Sequence, residues 1–263
     1  MNPRSWIRAA RLARLAPHLL YAVVLVLLVL IPSWVVVKPW WRPIRQRVTR
    51  HWFRTLVRIL GLRVTLVGAP ADGPVLRVAN HISWLDVVVL NAISPSVFVA
   101  KAEVAQWPLI GWMANWLGTL FLRRGDVLSS QRLTEVMGWQ FRRAEAVTLF
   151  PEGTTGNGAA LGKFHARLYQ PALSTRTAVQ PIAIAYPDQR VDGQTHPLAP
   201  FLGTQTLLNH LWMLLGEREL AVRVVYLSTL SAADTDRREL ARRSRDAIAC
   251  ALAQDSNTVR MTG

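Results

Sequence analysis

The chain of 263 residues holds a single cysteine, Cys250. No disulfide can close within it, and no zinc site of two or four cysteines can be assembled. Such sparing use of cysteine fits a reducing compartment. Acidic residues are scarce, 16 against 31 basic ones, and the first 63 residues contain none; the first acid is Asp72. No Gly-x-Ser-x-Gly elbow is present, which counts against a serine hydrolase. No Gly-x-Gly-x-x-Gly fingerprint for a dinucleotide occurs either. Internal repeats and low-complexity linkers are also missing. What is abundant is apolar: 51% of the residues, with a mean hydropathy of +0.20. That excludes a disordered chain and argues against an ordinary cytosolic enzyme. The length suffices for one large domain or two small ones with a full core.

The net charge of +15 is unevenly placed. Residues 1–63 carry 12 basic residues, leaving 19 basic against 16 acidic in the rest. A nucleic-acid-binding protein would set such charge on a polar folded face. Here it brackets an apolar run, which points to anionic lipid and away from nucleic acid. The run, Leu19 to Val37, has no charge in 19 residues. As a helix it would measure about 28 Å, near the hydrocarbon thickness of a bilayer. Arg4, Arg8, Arg11 and Arg14 precede it; Lys38, Arg42, Arg45, Arg47 and Arg50 follow. Trp34, Trp40, Trp41 and Trp52 stand where an interfacial aromatic belt would sit. No small-x-small site follows, so a cleaved signal peptide is disfavoured. Both flanks are basic and Pro32 interrupts the run, so a single span and a re-entrant or interfacial helix both remain open; a buried core helix is the plainer alternative. Trp107, Trp112 and Trp116 are candidates for a second apolar contact with the membrane.

The remainder alternates strands and helices. Val75–Ala79, Val97–Ala100, Thr119–Leu122, Val147–Phe150, Val179–Tyr186 and Val222–Leu227 read as strands. Leu128–Ala144 places Leu133, Val136, Met137, Phe141 and Ala144 on one helical face. Asp234 or Thr235 is suited to cap a last helix running through Ala253. This alternation predicts an α/β fold, a central mixed sheet flanked by helices, with an N-terminal membrane-associated helical segment. The composition breaks near Gly61–Gly73. The expected division is therefore a basic membrane-anchoring segment, residues 1–60, and the α/β body, residues 61–263.

Three segments near predicted strand ends are suited to chemistry, since open α/β sheets bind ligands there. The first is Asn80-His81-Ile82-Ser83-Trp84-Leu85-Asp86. Histidine has the intrinsic acidity for proton transfer near neutral pH, and a carboxylate on its second nitrogen fixes the tautomer. On one continuous helix, positions i and i+5 lie about 140° apart, so His81 and Asp86 meet only if His81 lies in a loop before a helix starting near Ser83. The plainer reading is a Ser83–Asp86 capping box with a loop histidine. The second segment is Phe150-Pro151-Glu152-Gly153-Thr154-Thr155-Gly156-Asn157-Gly158, an acid among glycines that let a polar ligand approach the backbone. A glycine-rich turn with a solvated glutamate is the alternative. The third, Gly118-Thr119-Leu120-Phe121-Leu122-Arg123-Arg124, ends in an arginine pair suited to a phosphate or carboxylate.

Taken together and in this order, N-H-x-S-x-x-D, G-x-x-F-x-x-R, F-P-E-G-T and an apolar strand with Pro181 resemble the lysophospholipid acyltransferase family, which includes the 1-acylglycerol-3-phosphate acyltransferases. The resemblance covers about residues 60–230. It implies transfer of a fatty-acyl group from a thioester, carried by coenzyme A or acyl carrier protein, to a lysolipid hydroxyl. It implies no metal and no other cofactor. It makes His81 the general base and Asp86 its orienting partner. It places Asn80, Ser83, Arg124, Glu152, Gly153, Thr154 and Thr155 in the substrate-binding set, with Arg124 on an acceptor anion and Glu152 and Gly153 positioning the acceptor. The acceptor first implied is 1-acylglycerol-3-phosphate, giving phosphatidic acid. Two departures bear on it: Thr155 stands where glycerol-phosphate members carry an arginine, and Arg123 where an acid often stands. The F-P-E-G-T-T-G form is similar to members that acylate lyso-ornithine lipid. The family also implies an inner-membrane enzyme whose catalytic part faces the cytoplasm. The rival classes are a serine hydrolase using Ser83 and a non-catalytic membrane-tethered lipid-binding protein.

Overall fold

Seven strands form one sheet in the order β1-β7-β6-β2-β5-β3-β4. In the computed structural model, which describes residues 3–31, 41–107, 109–122, 127–191, 193–203 and 205–261, these are β1 (Leu62–Val67), β2 (Leu76–Ala79), β3 (Val97–Lys101), β4 (Leu120–Leu122), β5 (Val147–Leu149), β6 (Val179–Ala185) and β7 (Leu220–Tyr226). Neighbours in the block β6-β2-β5-β3-β4 are parallel; β7 runs antiparallel to β6, and β1 runs parallel to β7. The helices are α1 (Pro3–Leu25), α2 (Trp41–Leu60), α3 (Leu85–Ile93), α4 (Ile110–Trp116), α5 (Val127–Arg142), α6 (Gln170–Thr175), α7 (Leu207–Leu215) and α8 (Arg237–Met261). The α/β class and the mixed sheet expected from the sequence are what the structure has.

The side-chain alternation of strands separates two cores. Ala79, Ile182, Ile184, Val222 and Val224 face a layer built from α1, α2, α3 and α7. Leu76, Val78, Val147, Leu149, Val179 and Ala183 face a layer built from α5, α6 and α8. Strands β2 and β5 are buried throughout, as continuous apolar runs are when helices cover both faces of a parallel sheet.

The segment before residue 61 takes part in this core. Helix α1 buries one stripe, Arg11, Leu15, His18 and Ala22, and Val26 continues it in the π-helical turn Val26–Leu30. The His18 ring stacks on Trp52 of α2 at 4.6 Å, and the Trp52 indole donates to the His18 carbonyl at 3.2 Å. Arg11 reaches the end of α7, donating to the carbonyls of Leu214 (3.2 Å), Arg218 (2.9 Å) and Glu217. Helix ends leave such carbonyls without helical partners, so the guanidinium acts as a cap delivered from a distant helix. Burial lowers the Arg11 pKa, and nearby Glu217 opposes that shift. On α2, Trp52, Phe53, Leu56, Ile59 and Leu60 are buried, while Arg42 and Arg45 pair with the buried Glu145. Lys38, Pro32, Trp34, Trp40 and the end of the apolar run at Val37 lie outside the described residues.

One strand was not among those expected, and one cap needs correction. The break at Gly61–Gly73 contains a strand: β1 pairs with β7 from Leu62↔Leu220 to Val67↔Val225. Gly61 does punctuate the chain, ending α2 with a positive φ of 71°, and a Cβ there would collide with the Arg11 guanidinium at 1.8 Å. The final helix is capped by Asp236, not by Asp234 or Thr235. Its Oδ1 accepts the amides of Arg238 (2.6 Å) and Glu239 (3.0 Å), the usual cap geometry. Asp234 instead adopts φ 53° in the turn before it.

Candidate active site

Strands β6, β2 and β5 are neighbours and all parallel, so their carboxyl ends deliver side chains to one place. Past β2 come Asn80 and His81; past β5, Phe150 and Glu152; past β6, Tyr186. The imidazole of His81 consequently lies flat on the Phe150 ring, with centroids 3.8 Å apart and planes 11° apart. Asn80 locks two of these ends together. Its side-chain amide donates to the Ile184 carbonyl and its oxygen accepts the Ile184 amide, both at 2.8 Å.

His81 precedes α3 in a loop, so the meeting with Asp86 that a continuous helix forbids does occur. The His81 Nδ1 to Asp86 Oδ2 distance is 2.8 Å. The same Oδ2 accepts the amides of Ile82 (2.8 Å) and Ser83 (3.0 Å). Oδ1 accepts the hydroxyl of Tyr186 at 2.6 Å. Asp86 is fully buried, and hydrogen bonds to a carboxylate contribute about 1.5–3 kcal/mol each, which offsets the cost of that burial. Burial, then the neighbouring Asp86, push the Tyr186 phenol well above its usual pKa, so it stays a donor. Two backbone amides already require Oδ2 to be an acceptor. The ring therefore donates from Nδ1, which in a neutral imidazole puts the lone pair on Nε2. The His81 side chain remains 19% exposed, whereas that of Asp86 is 0% exposed.

The capping box is only half made. Asp86 reaches back to the Ser83 amide, but the Ser83 hydroxyl is buried with no hydrogen-bond partner among the described residues. A hydrolase nucleophile held by His81 at this position is thus absent. Asn80 and Ser83, expected in the substrate-binding set, are 2% and 0% exposed; the Asn80 side chain ties the end of β2 to β6.

Glu152 is half-buried and bonded on both oxygens. Its Oε1 accepts the His81 amide (2.9 Å) and its Oε2 accepts the Gly162 amide (2.7 Å). Gly162 lies so close that a Cβ there would approach Oε2 to 2.7 Å. The Gly156 amide donates to the His81 carbonyl at 2.7 Å. Gly153, at φ 67°, makes the turn that follows β5. Thr154 is exposed. Thr155 donates its hydroxyl to the carbonyl of Phe201, whose own amide donates to Ile82 at 3.0 Å. Arg124, like Arg123, lies outside the described residues, just beyond β4.

A further layer was not foreseen from the sequence. The Trp84 indole donates to His210 Nδ1 at 2.9 Å, and His210 Nε2 bonds the Leu198 carbonyl at 3.0 Å. Burial holds the His210 pKa below its usual value against the pull of that carbonyl. Tyr186 and His210 lie 100 and 126 residues from their partners in the His81 loop, a separation that local patterns do not report.

A partly exposed imidazole, oriented by a buried carboxylate beside a glycine-rich loop, is the equipment of proton-transfer catalysis on an open α/β sheet. Residues 63–185, from β1 to the end of β6, match the family model described as Acyltransferase. The chain belongs to that family and is an acyltransferase, as its relatives show. It is 44% identical over 213 residues to the lyso-ornithine lipid O-acyltransferase of Pseudomonas aeruginosa, covering 80% of each chain. It is 31% identical over 195 residues to the 1-acyl-sn-glycerol-3-phosphate acyltransferase of Neisseria meningitidis, covering 73% of this chain and 75% of that one. The solved structure of the 1-acyl-sn-glycerophosphate acyltransferase PlsC of Thermotoga maritima shares the fold, with a TM-score of 0.62 at 18% identity over 93% of this chain and 97% of that one.

Proposed function

We propose that the protein transfers a fatty-acyl group from a thioester to the hydroxyl of a lysolipid, with His81 as general base. The observation that carries this reading is the His81–Asp86 pair, which leaves Nε2 as the ring's free acceptor. Nε2 takes the proton of the acceptor hydroxyl as its oxygen attacks the thioester carbonyl. The tetrahedral oxyanion then collapses, the C–S bond breaks, and the departing thiolate takes the proton back from the imidazolium. Asp86 holds the tautomer and stabilises the imidazolium; Tyr186 and the two amides hold Asp86. Glu152 acts as a positioning residue, fixing the His81 backbone and the turn at Gly162. Arg124 is assigned to an anionic group of the acceptor. The thioester is carried by coenzyme A or acyl carrier protein.

The acceptor we assign first is lyso-ornithine lipid. The 44% identical relative carries that name, and position 155 has an uncharged side chain bonded to the Phe201 carbonyl. An arginine–phosphate contact is charge-assisted and often bidentate, so its lack weakens a phosphate-bearing acceptor selectively. The relatives named 1-acyl-sn-glycerol-3-phosphate acyltransferase support that acceptor as the second reading. We place the enzyme on the cytoplasmic face of the inner membrane, held by residues 1–60. The apolar α1 and the 12 basic residues before position 64 support an anionic bilayer as its partner.

The test presents purified protein with acyl-coenzyme A or acyl-carrier protein and an equimolar mixture of lyso-ornithine lipid and 1-acylglycerol-3-phosphate, with products separated by mass spectrometry. Ornithine lipid as the main product is expected. Predominant phosphatidic acid would move the assignment to the second acceptor. Released fatty acid alone would overturn the transferase mechanism.

A further inference from the structure

From Leu207 to Leu215 the helix α7 has no charged residue. Its inner face holds His210, Leu214 and Leu215, all buried. Its outer face presents Leu208 and Trp212, four residues apart, at 76% and 52% exposure. Helix α7 packs beside α1, which with the π-helical turn after it shows Trp6, Leu20, Tyr21, Val24, Leu27 and Leu28 to the outside. Large contiguous apolar patches on a folded chain mark a protein or membrane contact. The composition here favours lipid. Tryptophan is the residue of the interfacial level, and the Arg8 guanidinium lies over the Trp212 ring at 5.0 Å, a cation–π contact that sets a basic group beside the apolar face, as anionic lipid favours.

The same helix is tied to the candidate active site. His210, on its inner face, takes the indole hydrogen of Trp84 in the His81 loop. Phe201, just before α7, accepts from Thr155 and donates to Ile82. Its far end is fixed to α1 through the Arg11 guanidinium.

We propose that α7 is a second membrane-docking element, lying in the bilayer interface beside α1 with Leu208 and Trp212 among the lipids. Coupled to both α1 and the His81 loop, it sets the depth at which the imidazole meets a membrane-borne acceptor. The proposal deepens the lysolipid reading above and rests on it for the acceptor alone.

The experiment uses the full chain with Cys250→Ser, so that a single introduced cysteine carries an environment-sensitive fluorophore. Positions are Leu208→Cys, Trp212→Cys, Leu20→Cys on α1, and Arg242→Cys on α8, which packs on the opposite face of the sheet. Vesicles of phosphatidylethanolamine and phosphatidylglycerol are added. Emission at 208 and 212 is expected to move to shorter wavelength and brighten as it does at 20, with no change at 242. A shift at 20 without one at 208 and 212 would overturn the proposal. So would a shift at 208 and 212 that needs no vesicles and grows with protein concentration, since a second copy would then cover α7. If the labels respond as expected but the wild type transfers no acyl group to any lysolipid, docking stands and the acceptor reading falls.

Discussion

Two carboxylates hold His81, and they hold it differently. Asp86, in the loop-to-helix turn after β2, bonds the imidazole itself as well as two amides and the Tyr186 hydroxyl. Glu152, in the glycine-rich loop after β5, bonds backbone alone among the described residues, the amides of His81 and Gly162. The first sets the tautomer of the ring. The second sets where the ring's backbone sits. Both motifs carry an acid at a fixed distance from a strand end, yet among the described residues only Asp86 bonds the imidazole. Removing each should therefore give different signatures, not merely different magnitudes.

The largest effect is expected at His81. His81→Ala removes the base and should lower the transfer rate by about 10²–10⁴-fold. Stability should fall by no more than about 1.5–3 kcal/mol, the bond the ring gives to buried Asp86, since the backbone bonds to Glu152 and Gly156 survive. Steady-state rates and a melting curve of the purified variant check both. Wild-type turnover would end the general-base assignment.

Next comes the pair that sharpens the contrast. Asp86→Asn keeps an oxygen for the two amides, and the Tyr186 hydroxyl can reverse to accept from the new amide. The imidazolium loses its counter-charge, so a rate loss of about 10²-fold or more is expected with the fold retained. Glu152→Gln sets an NH₂ against one of the two amides it served. The rate should fall about tenfold, through poorer positioning. Asp86→Ala, in contrast, strands four donors in the core and should cost about 3–5 kcal/mol, lowering the melting temperature by roughly 10 °C.

Smaller still is the effect on acceptor choice. Thr155→Arg should raise activity on 1-acylglycerol-3-phosphate relative to lyso-ornithine lipid, by an arginine–phosphate contact. It also breaks the bond to Phe201, so Thr155→Val serves as its control. If both variants shift the acceptor ratio equally, position 155 shapes the loop and does not read the head group.

Much of this site was legible because it is local. His81 and Asp86 are five residues apart, and the requirement that His81 precede the helix followed from helical geometry alone. Strands β2 to β7 were legible from apolar runs ended by Asn80, Pro151 and similar punctuation. Strand β1 was not, because Gly61, Gly68, Ala69, Pro70 and Gly73 gave its surroundings the composition of a linker. Glu152 was placed correctly in a turn, but its two backbone partners depend on how β5 lies beside β2. Tyr186 was legible only as the last apolar residue of a strand; nothing nearby signals a carboxylate 100 residues earlier. In the N-terminal quarter, charge suggested lipid, while the buried stripe from Arg11 to Val26 and the burial of Trp52 and Phe53 show the same residues packing on the body. Arginine capping a distant helix end has no sequence pattern at all.

The claim that Asp86 acts through the ring and Glu152 through the backbone is tested most directly by the pH dependence of kcat/KM for the wild type, Asp86→Asn, Tyr186→Phe and Glu152→Gln. Losing the carboxylate charge destabilises the imidazolium, so the acid limb of Asp86→Asn should move to lower pH. Losing the Tyr186 hydroxyl concentrates negative charge on Asp86, so the acid limb of Tyr186→Phe should move to higher pH. Glu152→Gln should lower the whole curve and leave its limb where the wild type has it. A limb shift in Glu152→Gln as large as that in Asp86→Asn, or none in Asp86→Asn, would contradict the division of roles.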